Sequence, residues 1–316
     1  MAFSTSDRYQ AIAAEWQGAA GQLIPSWSRF AKLVTDKGST QMTRFADMPI
    51  GNLQTWNGGE NSISSVSYGS SHEQTVALVG KGSLVKLTNI DVLNNPRLVE
   101  MKAAELLQSV ESTVEQIVYS TLSNSFVDSV DNGASSTTEV CSNGHKIDTT
   151  GNGTGDTDQS NLLTAALSYD GLNSAVEKMQ SFRTFSNEPQ GLGRGAMTLI
   201  CHPSNRAVAH RLCQSADLIQ HTSTPDSDAT AASTATLTGN SNVNNGISYI
   251  TSSYLTSSTD WFLIDNDNTP VSVWIPYAPT LDIQQLDSHV TQLSVSLWVK
   301  SWVDVPCAGI VGSDVA

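Results

Sequence analysis

Residues 95–123 read NPRLVEMKAAELLQSVESTVEQIVYSTLS, and this stretch decides how the rest of the chain can be arranged. Asn95 is placed to cap a first turn, and Pro96 falls at the first helical position, where its missing N–H costs nothing. Glu100 and Glu105 lie toward the positive end of the helix dipole. Leu98, Met101, Ala104, Leu107, Val110, Val114, Ile117 and Thr121 recur at steps of three and four, while Lys102, Glu105, Gln108, Glu111, Ser112 and Glu115 fall off that line. The spacing predicts one helix over 96–123 with one buried stripe and one wet face. Some 28 residues at about 1.5 Å each span roughly 42 Å, longer than an ordinary domain core, so the helix is a strut.

On its N-terminal side the period changes. Ile63, Val66 and Tyr68, then Val76, Leu78 and Val79, then Leu84, Val85 and Leu87 approach an alternation, which predicts a long two-stranded projection turning at Gly69-Ser70-Ser71. A hairpin of this kind is only marginally stable unless it lies on another surface. Before it, Tyr9, Ile12, Ala13 and Trp16 are helically spaced, and LIPSWSRFAKLV predicts a second helical piece carrying Trp27 and Phe30. So many aromatics in a segment too short for its own core predict an arm that packs on something else.

On the C-terminal side, residues 124–161 are polar and Gly-rich and read as one long loop. A helix then follows with Leu172, Ala175, Val176, Met179 and Phe182 on one face. The strand MTLIC at 197–201 runs into His202-Pro203 and a further helix through Val208, Ala209, Leu212 and Cys213, completing a compact α/β unit. Residues 219–246 carry almost no large apolar side chains and predict an exposed, mobile loop. Strands return at ISYIT, WFLID and VSVWIP, and LSVSLWVKSWVDV, with Leu293, Val295, Leu297 and Val299 alternating, closes a sheet.

Composition limits the functions open to such a chain. Its 316 residues are 39% hydrophobic, enough for two domains with real cores, and 16 basic against 30 acidic residues give a net charge of −14. That charge repels polyanions and argues against a nucleic-acid-binding surface. No run approaches the length of a membrane span, and MAFSTSDRYQ lacks the features of a signal peptide. Cys141, Cys201, Cys213 and Cys307 form no CxxC pair, so reduced thiols are expected.

Sites of chemistry are sparse. Asp148, Asn152, Asp156 and Asp158 offer oxygens to a hard cation, but their spacing differs from the twelve-residue calcium loop and no terminal Glu follows, which favours a solvated loop. His202 and His210 beside Cys201 and Cys213 make no recognised ligand spacing; His202 is expected near a helix start and His210 on a partly exposed face. GLGRG at 191–195 has glycines but follows no strand, and no GxSxG, GxxxxGK or HExxH is present.

The order of these parts resembles the major capsid proteins of tailed bacteriophages. More narrowly, residues 45–316 resemble the Mu-like major head subunits through FADMPIGNLQTWNGGE, NGHKID leading to QSNLLT, LNSAVEKMQSF, GAMTLICHPSNRAVAHRLCQS and ISYITSSYLTSSTDWFLID. The resemblance implies an α+β capsid fold: an N-terminal arm at 1–55, an extended loop hairpin at 56–90, and a peripheral domain at 91–165 holding the spine helix 96–123. An axial domain at 166–285, including the polar loop 219–246, and a closing strand of the peripheral domain at 286–316 complete it. The implied role is structural, with no catalytic, cofactor-binding or metal-binding residue: pentamers and hexamers forming an icosahedral head around double-stranded DNA, assembled in the host cytoplasm and then part of the virion. Contacts between subunits are expected at Trp16, Trp27, Phe30, Trp56, Tyr68, Lys81, Lys86 and Arg97. Further partners implied are portal and decoration proteins and scaffolding. Some members begin with a long fused scaffolding segment; only some 55 residues precede the hairpin here, so scaffolding is expected on a separate chain and cleavage is not expected. An encapsulin-like compartment shell shares the fold, and a calcium-dependent binding module is the alternative outside it.

Overall fold

A computed structural model describes residues 5–20, 26–37, 41–47, 70–95, 97–131, 137–147, 149, 155–184, 187–215, 217–222, 234–239, 246–287, 290–304 and 309–315. The chain divides into two compact units. The first comprises Met1–Arg44, Thr75–Thr121 and Val271–Trp302; the second comprises Phe45–Gln74, Leu122–Pro270 and Val303–Ala316.

The first unit is built on the strand Val290–Val303, 14 residues long, whose side chains at 291, 293, 295, 297 and 299 are buried while those between them are half-buried or exposed. It pairs antiparallel with Thr280–Asp287 and with Val79–Thr88, and beyond it lie Val271–Trp274 and Ala31–Val34, the last two parallel to each other. Two helices pack in this unit: α1, Thr5–Ala20, and the longest helix, separated by a six-residue helix α2, Asn89–Asn94. The longest, α3, runs Leu98–Ser123. Asn95 serves both short and long helix, because its N–H donates to the Asp91 carbonyl at 2.9 Å while its Oδ1 accepts from the Arg97 N–H at 3.2 Å.

The strut is present, but its buried stripe is Val99, Ala103, Leu106, Val110, Val114, Val118, Tyr119 and Leu122. Of the expected stripe, Val110 and Val114 are buried; Leu98, Leu107, Ile117 and Thr121 are only half-buried, and Met101 and Ala104 are exposed. The sequence offers two apolar rows about a residue apart, and a third element selects between them. Trp16 of α1 donates its Nε1–H to the Ala103 carbonyl at 2.9 Å, an approach that needs the small Ala103 on the inward face. Tyr9 meets Thr291 Oγ1 at 3.3 Å and Arg8 pairs with Glu100 at 2.8 Å, fixing α1 against both the helix and the sheet.

Three further expectations differ. The segment expected as a second helical piece is one 3₁₀ turn, Ser26–Arg29, followed by the strand Ala31–Val34, because Lys32-Leu33-Val34 finds a parallel partner in Ser272–Trp274. The projecting hairpin is not 56–90. Gln41–Asp47, placed in the arm by the sequence, pairs with Ser70–Ala77, and Val79–Thr88 joins the main sheet instead of returning along it; Ile63, Val66 and Tyr68 lie outside the described residues. The expected domain limits also move: residues 122–165 belong to the second unit, 271–285 to the first, and the closing segment 286–316 divides at Trp302/Val303.

The second unit contains a five-stranded sheet in the order Ile247–Thr251, Met197–Cys201, Trp261–Asp265, Ile310–Ser313, Leu162–Leu163. Its central strands Met197–Cys201, Trp261–Asp265 and Ile310–Ser313 are buried at every position. One face is covered by α4, Tyr169–Ser181, and α5, Arg206–Gln214, which bring Leu172, Ala175, Val176, Met179, Ala209 and Leu212 into one core with Leu199 and Leu263. Here the helical spacing read from the sequence is the buried face. On the other, Phe126 stacks on Phe262 with centroids 5.3 Å apart, and a Cβ at Gly312 would meet Cys141 Sγ at 2.7 Å and Phe126 at 2.9 Å, so that position excludes any side chain.

The two stretches expected as loops carry strands. Residues 124–161 form short hairpins, Ser129–Asp131 with Thr137–Glu139 and His145–Ile147 with Thr157–Gln159. Asp217–Thr222 pairs antiparallel with Thr234–Gly239. Thr-rich segments have strand propensity without apolar bulk, which a hydrophobic pattern does not register.

Candidate functional site

For a protein with so little chemistry in its sequence, the candidate site is a surface. The outward face of the first unit's sheet is set by register: Trp298 lies opposite Gly80, Ser296 opposite Gly82 and Thr280, and Ser294 opposite Leu84 and Asp282. A Cβ at Gly80 would stand 3.3 Å from two atoms of the Trp298 ring, so the glycine lets the indole lie down on the neighbouring strand while 47% of Trp298 stays exposed. Val79–Thr88 itself is uncovered for its first six residues and buries only Leu87.

The expected contact residues separate into three groups. Trp16, Trp27 and Phe30 are at most 4% exposed, and Phe30 packs on Tyr119 with centroids 5.7 Å apart. Their assignment to contacts between subunits is corrected: they belong to the core of their own unit, because α3 and the sheet supply the surface that the arm lacks. Trp56 and Tyr68 lie outside the described residues. Lys81, Lys86 and Arg97 are exposed. Lys81 sits opposite the buried Leu297, beside a groove lined also by Ser109 and Thr113 of α3, whereas Lys86, opposite Gln292, points to the other face. The structure therefore does not gather the three cations into one patch.

Sequence reasoning missed the apolar part of this surface. Leu33, Val79, Leu84, Ile90, Leu93, Met101, Tyr277, Leu286 and Trp298, all in the first unit, are large and exposed; in the second unit Val127 is the one such residue described. Ile90 and Leu93 carried a signal, two apolar residues a turn apart in NIDVLN, but without the fold nothing tells a buried pair from an exposed one.

In the second unit the polar side chains that invite a chemical reading are engaged in holding loops. Asn161, fully buried, accepts at Oδ1 from the Ser142 N–H at 2.8 Å, meets His145 Nε2 at 3.0 Å, and donates from Nδ2 to the Val140 carbonyl at 2.8 Å. Its carbonyl also takes the Gly312 N–H at 3.0 Å, so one residue ties the NGHKID turn to the sheet. The glycines of GLGRG have a comparable use. Gly193, at φ 66°, donates its N–H at 2.9 Å to the buried Asp265, whose other oxygen accepts from the Asp267 N–H at 3.0 Å. His202 caps the turn Pro203–Asn205 by accepting at Nδ1 from the Ser204 N–H at 3.3 Å, and His210 is exposed with its ring edge toward Tyr249.

Of the proposed calcium oxygens, Asp148 and Asn152 lie outside the described residues. Asp156 accepts from Thr149 N–H and Oγ1–H at 2.8 and 2.7 Å, and Asp158 pairs with Lys146 at 2.6 Å. Among the described residues no three His, Cys, Asp or Glu side chains are grouped to hold a metal. Cys141, Cys201 and Cys213 are buried free thiols, and burial pushes them up to about 12, 11 and 12; a thiol so displaced is a small apolar side chain, not a nucleophile. No described helix is long and apolar enough to cross a membrane.

One unit holds a five-stranded sheet and one long helix, and the other a five-stranded sheet covered on one face by two shorter helices. Solved structures share this fold at low identity. The mature capsid of bacteriophage PhiM1 superposes with a TM-score of 0.55 at 11% identity over 93% of this chain and 88% of that one. The capsid of the cyanophage P-SCSP1u gives 0.55 at 11% over 94% and 91%, and the capsid of an empty GTA particle gives 0.54 at 10% over 93% and 92%. No curated protein sequence matches. The family model for phage capsid proteins matches residues 73–308, most of the chain, and the protein belongs to that family.

Proposed function

We propose that this chain is the major capsid subunit of a tailed phage, assembling with copies of itself as pentamers and hexamers into a closed icosahedral head around double-stranded DNA. The observation that carries this, beside family membership, is the concentration of exposed apolar side chains on the first unit: nine of the ten large ones described lie there. A concentration of large exposed apolar side chains on one unit supports a protein–protein contact there. Lys81, Lys86 and Arg97 remain proposed contacts, now as members of that exposed surface. The net charge of −14 suits an inner wall that does not hold the packaged polyanion. Separate scaffolding and portal proteins, decoration proteins and the narrower kinship with Mu-like head subunits belong to this reading and rest on the sequence segments alone.

Negative-stain microscopy of the purified protein tests it. Closed shells of uniform diameter are expected, and because repeated exposed ion pairs are weak and screened, their yield is expected to change with salt. Dispersed monomers at high concentration, or tight salt-sensitive DNA binding by the isolated subunit, would overturn it.

A further inference from the structure

The six residues of α2 bury none of their side chains. Leu93 is 80% exposed, the highest value among the large apolar residues described, and Ile90, one turn before it, is 70% exposed. Nothing local requires apolar residues there. The helix is held by its caps: the Asp91 N–H donates to Thr88 Oγ1 at 3.3 Å, and the Asn95 N–H closes the other end on the Asp91 carbonyl. Register brings a third apolar residue to the same tip. Thr88, which precedes α2, pairs with Val290, and Val290 also pairs with Asp287, so the half-exposed Leu286 lies at this end of the sheet. Exposed apolar residues scattered singly need no explanation, but three at one tip do.

We propose that this tip is a contact between copies of the chain, in which Ile90 and Leu93 of one copy pack on the same residues of another. The inference rests on the shell reading and names one of its surfaces. A second copy fits better than an unrelated partner because the patch carries both charges: Asp91, between Ile90 and Leu93, and Arg97, four residues beyond Leu93, are exposed and opposite in sign, so two copies meeting about a symmetry axis would set Arg97 of one toward Asp91 of the other. So few residues bury far less than the roughly 1,200 Å² of a stable interface, and one such contact is weak. Repeated around a closed shell it becomes decisive, while free subunits stay apart.

Leu93→Asp and Leu93→Cys test this against the wild-type chain. Leu93→Asp is expected to melt at the wild-type temperature, since nothing at 93 is buried, and to give at least tenfold fewer closed shells by light scattering and microscopy. In a Cys307→Ser background, which leaves only the buried thiols of Cys141, Cys201 and Cys213, Leu93→Cys shells treated with a mild oxidant are expected to yield disulfide-linked chains on a non-reducing gel, and dispersed subunits are not. Wild-type yield from Leu93→Asp, with the wild type assembling, overturns the contact and leaves the shell reading intact. Intact Leu93→Cys shells without linked chains overturn the like-to-like arrangement even if Leu93→Asp lowers the melting temperature. A wild type that never forms shells counts against the proposed function instead.

Discussion

In the unit built around Met197–Cys201, three adjacent strands are buried at every position, with two helices on one face and Phe126 on the other. In the unit built around Val290–Val303, burial alternates along the strand, and its partner Val79–Thr88 is exposed at eight of its ten residues, the first six among them. The first arrangement closes its core within one chain. The second leaves a face, an edge strand and a helical tip exposed, and the difference separates the part of the subunit that closes its own core from the part that the proposed shell would cover.

That contrast is open to measurement, beginning with the cores. Phe262→Ala in the second unit and Trp16→Ala in the first are each expected to cost about 3 to 5 kcal/mol in denaturant unfolding of the subunit, because both side chains are buried. A Trp16→Ala subunit that keeps its stability but loses shells would restore Trp16 to the contacts between copies. Next in size, Asn161→Ala removes the side-chain hydrogen bonds to the Ser142 N–H, His145 Nε2 and the Val140 carbonyl, and a loss of about 2 to 3 kcal/mol is expected in the same assay. Unchanged stability would show that water replaces the amide and that the second unit is less tightly closed than its burial indicates.

The effect smallest per side chain is alkaline. The three described thiols all lie in the second unit, and each is raised from the usual 9.0 by burial. A group raised in the folded state stabilises the fold fully below its unfolded pKa and loses that contribution as pH climbs through the folded value, so stability is expected to fall from about pH 9 toward pH 12. At pH 10 the loss is roughly 1 kcal/mol per thiol. Replacing all three by Ala is expected to flatten that slope, and an unaltered slope would place its origin outside the second unit.

What the sequence disclosed follows the same division. The faces of α4 and the strands MTLIC and WFLID were legible because a core closed within one chain leaves a pattern with a single solution. The strut was legible as a helix but not in phase, since Leu98, Met101, Leu107 and Ile117 compete with Val99, Ala103, Leu106 and Val118, and the choice depends on where Trp16 docks. Gln41–Asp47 and the Thr-rich Thr234–Gly239 were missed because their pairing is with segments whose position no local pattern encodes. The exposed tip at Ile90 and Leu93 was missed for the opposite reason: its residues look like core.

The pairing of Val79–Thr88 with Val290–Val299 joins segments more than 200 residues apart. A ribosome adding about 5 to 20 residues per second therefore releases Met197–Cys201, Ile247–Thr251 and Trp261–Asp265 for mutual pairing before the last strand of the other sheet has been made. Until Val290–Val303 has been made, no nascent chain holds the completed sheet of the first unit, whereas the central strands Met197–Cys201 and Trp261–Asp265 of the second are already paired.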